Sequence, residues 1–129
     1  MNTTVYFLLR LAIGASMFGH GLVRIPKLQV FSSWMVGSFE KSLLPKFLVI
    51  PFSYSLPIAE LIIGLLLSFG LFTKPTLVAA GIVMVILVFG TALIENWEAI
   101  PSQLIHAAFF ALLLQFIVSN TISLDSLIK

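Results

Sequence analysis

Four stretches of this chain, Val5 to Val23, Pro51 to Phe72, Pro75 to Ile94 and Ser102 to Ser119, are almost free of charge. Each comes close to the about 20 residues that a helix needs to cross a bilayer. Backbone in lipid is satisfied only by helices or closed barrels, and runs of this length separated by short connectors predict an all-α, antiparallel four-helix bundle. Composition agrees: 60% of residues are hydrophobic and 9% charged, against about a quarter charged in ordinary soluble domains. Mean hydropathy is +1.14. The 129 residues have room for one domain, 1–129. No positive charge precedes the first run, Arg10 interrupts it and no small-x-small site follows, so it is expected to be retained rather than cleaved.

The formal net charge of +2 comes from basic residues scattered over the chain, with no run that would track a phosphate backbone, so nucleic acid is not an expected partner. Cysteine is absent. Disulfides, thiolate metal sites and thiol chemistry by this chain are thereby excluded. Carboxylates and imidazoles are too scattered to predict a metal site.

Antiparallel order puts the termini and the turn at Lys74 on one side, the terminal face. The long connector 24–50 and the acidic "ENWEAIPSQ" fall on the other, the loop face. The connector carries Phe31, Trp34, Met35, Phe39, Leu43 and Leu44 at roughly helical spacing and is expected to be an amphipathic interfacial segment. Polar groups are one-sided: His20, Arg24, Glu95, Trp97, Glu98, Gln103 and His106 crowd the loop face, while the terminal face offers Lys74, Asn120, Asp125 and Lys129. The cations near span ends, Arg24, Lys27, Lys41 and Lys46 against Lys74, Lys129 and Arg10, do not fix orientation by the positive-inside rule.

Glu60, in "PIAELIIG", lies about 14 Å below the loop face at 1.5 Å per residue. Helical side chains lean toward their own N-terminus, so Arg10 leans to the terminal face, where it is expected to snorkel out, and Glu60 leans away from it. His20 and Arg24, four residues apart, share one helix face and lean inward toward the depth of Glu60. A cluster of Glu60, His20 and Arg24 is the expected site, because an ionisable residue within a span marks function by default. Its pocket is expected to open on the loop face between the first, second and fourth spans. Phe18, Trp34, Tyr54, Trp97 and His106 are candidates for its wall or mouth.

"LLRLAIGASMFGHGLVRIPKL", residues 8 to 28, and "AELIIGLLLSFGLFTKP", residues 59 to 75, resemble the two signatures of the DoxX family of small four-helix membrane proteins. The first has an arginine-leucine start, glycines, a His-Gly pair and a basic residue a turn later. The second has an acid in an apolar helix, glycines, then a threonine-basic turn. The resemblance marks Arg10, Gly14, His20, Gly21, Arg24, Glu60, Gly64, Gly70 and Lys74, with Arg24 standing where lysine is common. It implies kinship with the membrane subunit of archaeal thiosulfate:quinone oxidoreductase, with complexes handling oxidative or sulfur stress, and with membrane-protein assembly factors.

Gly14, Gly21, Gly64 and Gly70, with Arg10 and Lys74, also read as structural: close packing for the glycines, an interface anchor for Lys74. Glu60 with Arg24 reads equally as a pair fixing helix register. Two histidines at matched depth are too weak a signal to expect haem. Three function classes stay open: the membrane subunit of a quinone-linked oxidoreductase, with Glu60 and His20 exchanging protons and Arg24 steadying negative charge; an interaction or assembly module; or a carrier of a lipid or weak acid. The expected partners are the lipid bilayer, a quinone or small amphiphile, a soluble or membrane redox subunit and, as an open alternative, further copies of the chain. The expected location is a bacterial or archaeal cytoplasmic (inner) membrane.

Overall fold

The computed structural model describes residues 1–128; Lys129, expected on the terminal face, lies outside them. Among the described residues every regular element is helical: α1 (Thr3–Arg24), α2 (Leu28–Ser38), α3 (Lys46–Phe69), α4 (Thr73–Leu93), α5 (Ile100–Gln115) and the short α6 (Leu124–Ile128). Single 3-10 turns at Ile25–Lys27 and Ile117–Ser119 extend α1 and follow α5. Among the described residues three helical stretches are long and apolar enough to cross a membrane: Thr3–Ser38 taken through its turn, Lys46–Phe69 and Thr73–Leu93. This is a membrane protein.

The helix ends are where the chemistry requires. Asn2 Oδ1 accepts from the Thr4 and Val5 amides at 2.8 and 3.3 Å and caps α1. Gly70, at φ +69°, ends α3 in the left-handed conformation, and the Leu71 amide bonds back to the Leu66 carbonyl at 2.9 Å. Two boundaries differ from expectation. α3 begins at Lys46, before Pro51, and passes through both Pro51 and Pro57. The fourth apolar run is helical only over Ile100–Gln115, then tightens into the 3-10 turn.

The connector 24–50 is mostly ordered helix. Pro26 tightens the chain into a 3-10 turn and α2 lies back along the N-terminal half of α3, burying Ser32 and Met35. There the Ser32 and Ser53 hydroxyls lie 2.6 Å apart, and Met35, Val49 and Leu56 form a small core with Val83 and Leu87 of α4 beside it.

α1 and α3 are in closest contact because glycines remove the side chains between them. A Cβ built on Gly64 would lie 2.2 Å from the Phe18 amide nitrogen, one on Gly21 2.5 Å from that of Leu61, and one on Gly14 2.9 Å from that of Ser68. α4 packs on α5, and each neighbours one member of the first pair: α3 meets α4 and α1 meets α5. The main core fills the terminal-face half, where Tyr6, Ile13, Met17, Ile63, Leu67, Leu77, Ala80, Met84, Phe110 and Leu113 are buried together.

Arg10 belongs to that half, and it does not snorkel. It is 1% exposed, with Nε donating to the Leu67 carbonyl at 2.9 Å and Nη1 to Asn120 Oδ1 at 2.7 Å and the Ile122 carbonyl at 2.9 Å. The segment after α5 folds back over the guanidinium and supplies those acceptors. Asp125 then receives the Phe72 and Thr73 amides at 2.7 and 2.9 Å, capping α4 from a distance of more than fifty residues in sequence.

Candidate functional site

The core leaves space in the other half of the molecule. A cavity of about 490 Å³ opens on the loop face, walled by Met17, His20 and Arg24 of α1, Phe31, Trp34 and Met35 of α2, Leu48, Val49, Phe52, Leu56 and Glu60 of α3, Met84, Ile86, Leu87, Phe89, Gly90 and Thr91 of α4, and Ser102, Gln103 and His106 of α5. The α3 residues recur at steps of three and four, one stripe of the helix. Burial of the main core below and separation of the helices above leave a wedge.

Glu60 and Arg24 meet in this wedge. Arg24 Nη1 donates to Glu60 Oε1 at 2.9 Å, with the carboxylate side chain 5% exposed and the guanidinium 31%. The Arg24 guanidinium lies over the Phe31 ring at 4.5 Å, and Phe31 in turn stacks on Trp34 at 5.9 Å. The cation is thus supported on an aromatic shelf supplied by α2. The carboxylate lies deeper than its partner.

The histidines are organised by α1. His20 Nδ1 lies 2.7 Å from the Ser16 carbonyl oxygen and His106 Nδ1 lies 2.8 Å from that of Ser102, so both Nδ1 atoms carry the proton, since a carbonyl can only accept. His106 Nε2 is 2.8 Å from the Ser16 hydroxyl, which donates to it when the ring is neutral. The rings stand edge to face, 5.9 Å apart. His20 is the more exposed of the two, and its Nε2 is the nitrogen left to exchange a proton with a ligand. On the far wall, Gln103 Nε2 donates to Thr91 Oγ1 at 2.9 Å.

Of the residues expected at the site, Glu60, His20, Arg24, Trp34 and His106 line this one cavity. Among the described residues, Arg24 alone hydrogen-bonds the carboxylate. Phe18, Tyr54 and Trp97 do not line the cavity: Phe18 presents its backbone to Gly64, Tyr54 lies off the α3 stripe and Trp97 is exposed on the connector. The walls also include α2 and α4, beyond the three spans expected. Ser16, Thr91 and Gln103 bond across or along these walls and were not anticipated as partners. Ser16 had a signal, its four-residue spacing to His20, but its bond to His106 crosses 90 positions. The expected pairing choice for Arg10 is as predicted, since it bonds at the terminal face and not to Glu60.

The model of the DoxX family aligns with residues 5–96. That range holds α1 from its third residue and all of α2 to α4, with His20, Arg24 and Glu60, and stops short of α5 with Gln103 and His106. No curated protein and no solved structure matches the chain.

Proposed function

The chain belongs to the DoxX family, a family of small membrane proteins, and on that premise we propose that it is the membrane subunit of a quinone-linked redox system, with the loop-face cavity as its quinone site. The observation that carries the reading is the union, in one apolar-walled cavity, of a deep carboxylate, its arginine and a histidine with one nitrogen free. The volume falls inside the range of about 300 to 1,000 Å³ usual for small-molecule sites.

A bound quinone supplies a two-electron couple whose two carbonyl oxygens become hydroxyls on taking up two electrons and two protons. The electrons come from a partner subunit carrying a redox centre. This chain's residues handle protons. His20 Nε2 accepts or returns one at the cavity, while the Ser16 carbonyl holds Nδ1–H in place so that the exchange is confined to Nε2. Glu60 takes the second role, its carboxyl group held in place by the 2.9 Å hydrogen bond from Arg24. Phe31 and Trp34 hold the guanidinium at the mouth.

This reading includes four membrane crossings. α5 at 16 residues spans about 24 Å, and the 3-10 turn after it adds about 6 Å, which together match the hydrocarbon thickness of about 30 Å. α2, with Trp34 exposed, then lies at the loop-face interface.

The test is purification in mild detergent, solvent extraction and mass spectrometry, followed by quinone titration of the stripped protein. Bound quinone in the native protein, and saturable rebinding that Glu60→Gln weakens at least tenfold while a cooperative melting transition is retained, are expected. A folded protein that neither carries nor rebinds quinone removes the proposal; retention of some other lipid instead would support the carrier alternative.

A further inference from the structure

The cavity has two edges of opposite character. Between α1 and α5 the edge is polar: His20, Ser102 and His106 stand there, and the Ser16–His106 hydrogen bond is the link across it. On the α3 and α4 sides the edge is apolar: Leu48 on α3 and Ile86 and Phe89 on α4 line the cavity and are at the same time 52%, 48% and 63% exposed, and Phe39, which ends α2, lines it beside Gly90 of α4. A side chain that touches the cavity and stays half exposed stands at a rim. The Glu60 carboxylate lies inside, deeper than its arginine and nearer the floor formed by Met17 and Met84, so a passage from the α3–α4 rim meets hydrocarbon first and the carboxylate last.

α3 and α4 are consecutive helices, and what lies outside the seam between them in a membrane protein is acyl chain rather than water. A polar solute would be desolvated along the whole route with no hydrogen-bonding partner at the rim. An amphiphile has the matching order, with a tail that remains in the seam and a head that reaches the polar end. We infer that the α3–α4 seam is a lateral portal through which a ligand with a polar head and a long apolar tail enters from the bilayer, its head seated at Glu60 and His20 and its tail held between Leu48, Ile86 and Phe89. The inference rests on the quinone-site reading above and adds the route and the need for a tail.

The absence of cysteine makes the portal testable, because Leu48→Cys with Phe89→Cys introduces the only two thiols in the chain. In a Trp97→Phe background, Trp34 is the sole tryptophan and lines the cavity, so its fluorescence reports occupancy. The protein is placed in phosphatidylcholine vesicles and bridged across the seam with a bis-methanethiosulfonate, which forms a disulfide with each cysteine as methanesulfinate leaves and is cleaved by a reductant. Quenching is then followed with two probes, a quinone bearing a long isoprenoid tail and its short, water-soluble head-group analogue. Bridging should slow the saturable quenching by the tailed probe at least tenfold, leave the short analogue within twofold, and be reversed on cleavage. Leu48→Ala with Phe89→Ala, which widens the rim without a cross-link, should speed the tailed probe alone. If neither the bridge nor the widened rim separates the two probes, the lateral portal is wrong and the site stands. If neither probe quenches saturably in the unbridged protein, the site reading itself fails.

Discussion

At the scale of single residues, the sharpest contrast is between glycines. Gly64 is pressed against the Phe18 backbone, whereas a Cβ on Gly19 would meet nothing within 4 Å. Gly64→Ala must push α1 from α3 and is expected to cost about 3 kcal/mol or more, the upper end for overpacking. Gly19→Ala, which gains helix propensity, should be neutral or stabilising by up to about 1 kcal/mol. Paired thermal melts in detergent check both. The Arg24–Glu60 pair makes an asymmetric prediction, because the carboxylate is nearly inaccessible and the guanidinium is not. Glu60→Gln leaves an arginine that water can still reach and an amide that still accepts its hydrogen bond, so the loss should be about 1 kcal/mol. Arg24→Met strands the deeper carboxylate and should cost about 3 kcal/mol, recovered when Glu60→Leu is added. Equal losses for the two single variants would contradict this asymmetry. That Glu60 would meet Arg24 rather than Arg10 was legible from side-chain direction alone; that only Arg24, and not His20, would touch it was not, since one residue's rotation about the helix axis decides contact.

At the scale of elements, the end of the chain does more than an interface anchor would. Burial by itself would raise the Asp125 carboxyl, but the Thr73 side chain and amide, the Phe72 amide and the nearby Arg10 charge outweigh it and hold the pKa below the usual aspartate range. A depressed native pKa means stability that is fully present above the unfolded value of about 3.9 and is lost as pH falls through the native one. Melting temperature should therefore drop in acid below about pH 4, and Asp125→Asn should remove that part of the drop while lowering stability at neutral pH by about 1 kcal/mol, as for other helix caps. Phe72 sits at φ +50°, a conformation unfavourable for its side chain, and the Asp125 hydrogen bond to its amide holds it there. None of this is visible in a periodicity, because Asp125, Thr73 and Arg10 are far apart in sequence. α3 is a milder case: Pro51 marks a helix start by rule, yet packing of α2 on Val49 and Ser53 keeps the preceding turn helical.

At the scale of the whole molecule, the four-crossing arrangement predicts sidedness. Single cysteines introduced at positions 74 and 97 should label from opposite sides of sealed vesicles with an impermeant maleimide, and one at position 122 should label with 74. Labelling of 74 and 97 from the same side would rule it out.

The sequence by itself determined that this is a helical membrane protein, how many apolar runs it has, and that its polar groups gather at one end, because span length and side-chain direction are local properties of a helix. It also showed that His20 and Arg24, near the loop face, lean inward toward the deeper Glu60. Only the tertiary structure decided what those residues touch. The glycine contacts of Gly14, Gly21 and Gly64 set the rotation of α1 against α3. That rotation joins Arg24 to Glu60, turns Phe18 and Tyr54 away from the cavity, and brings Ser16 within reach of His106. The fold-back after α5 buries Arg10 through acceptors at Asn120 and Ile122 that no nearby residue could offer. Rotation and fold-back are fixed by interhelical packing, which sums over contacts distant in sequence and leaves no period within any one helix.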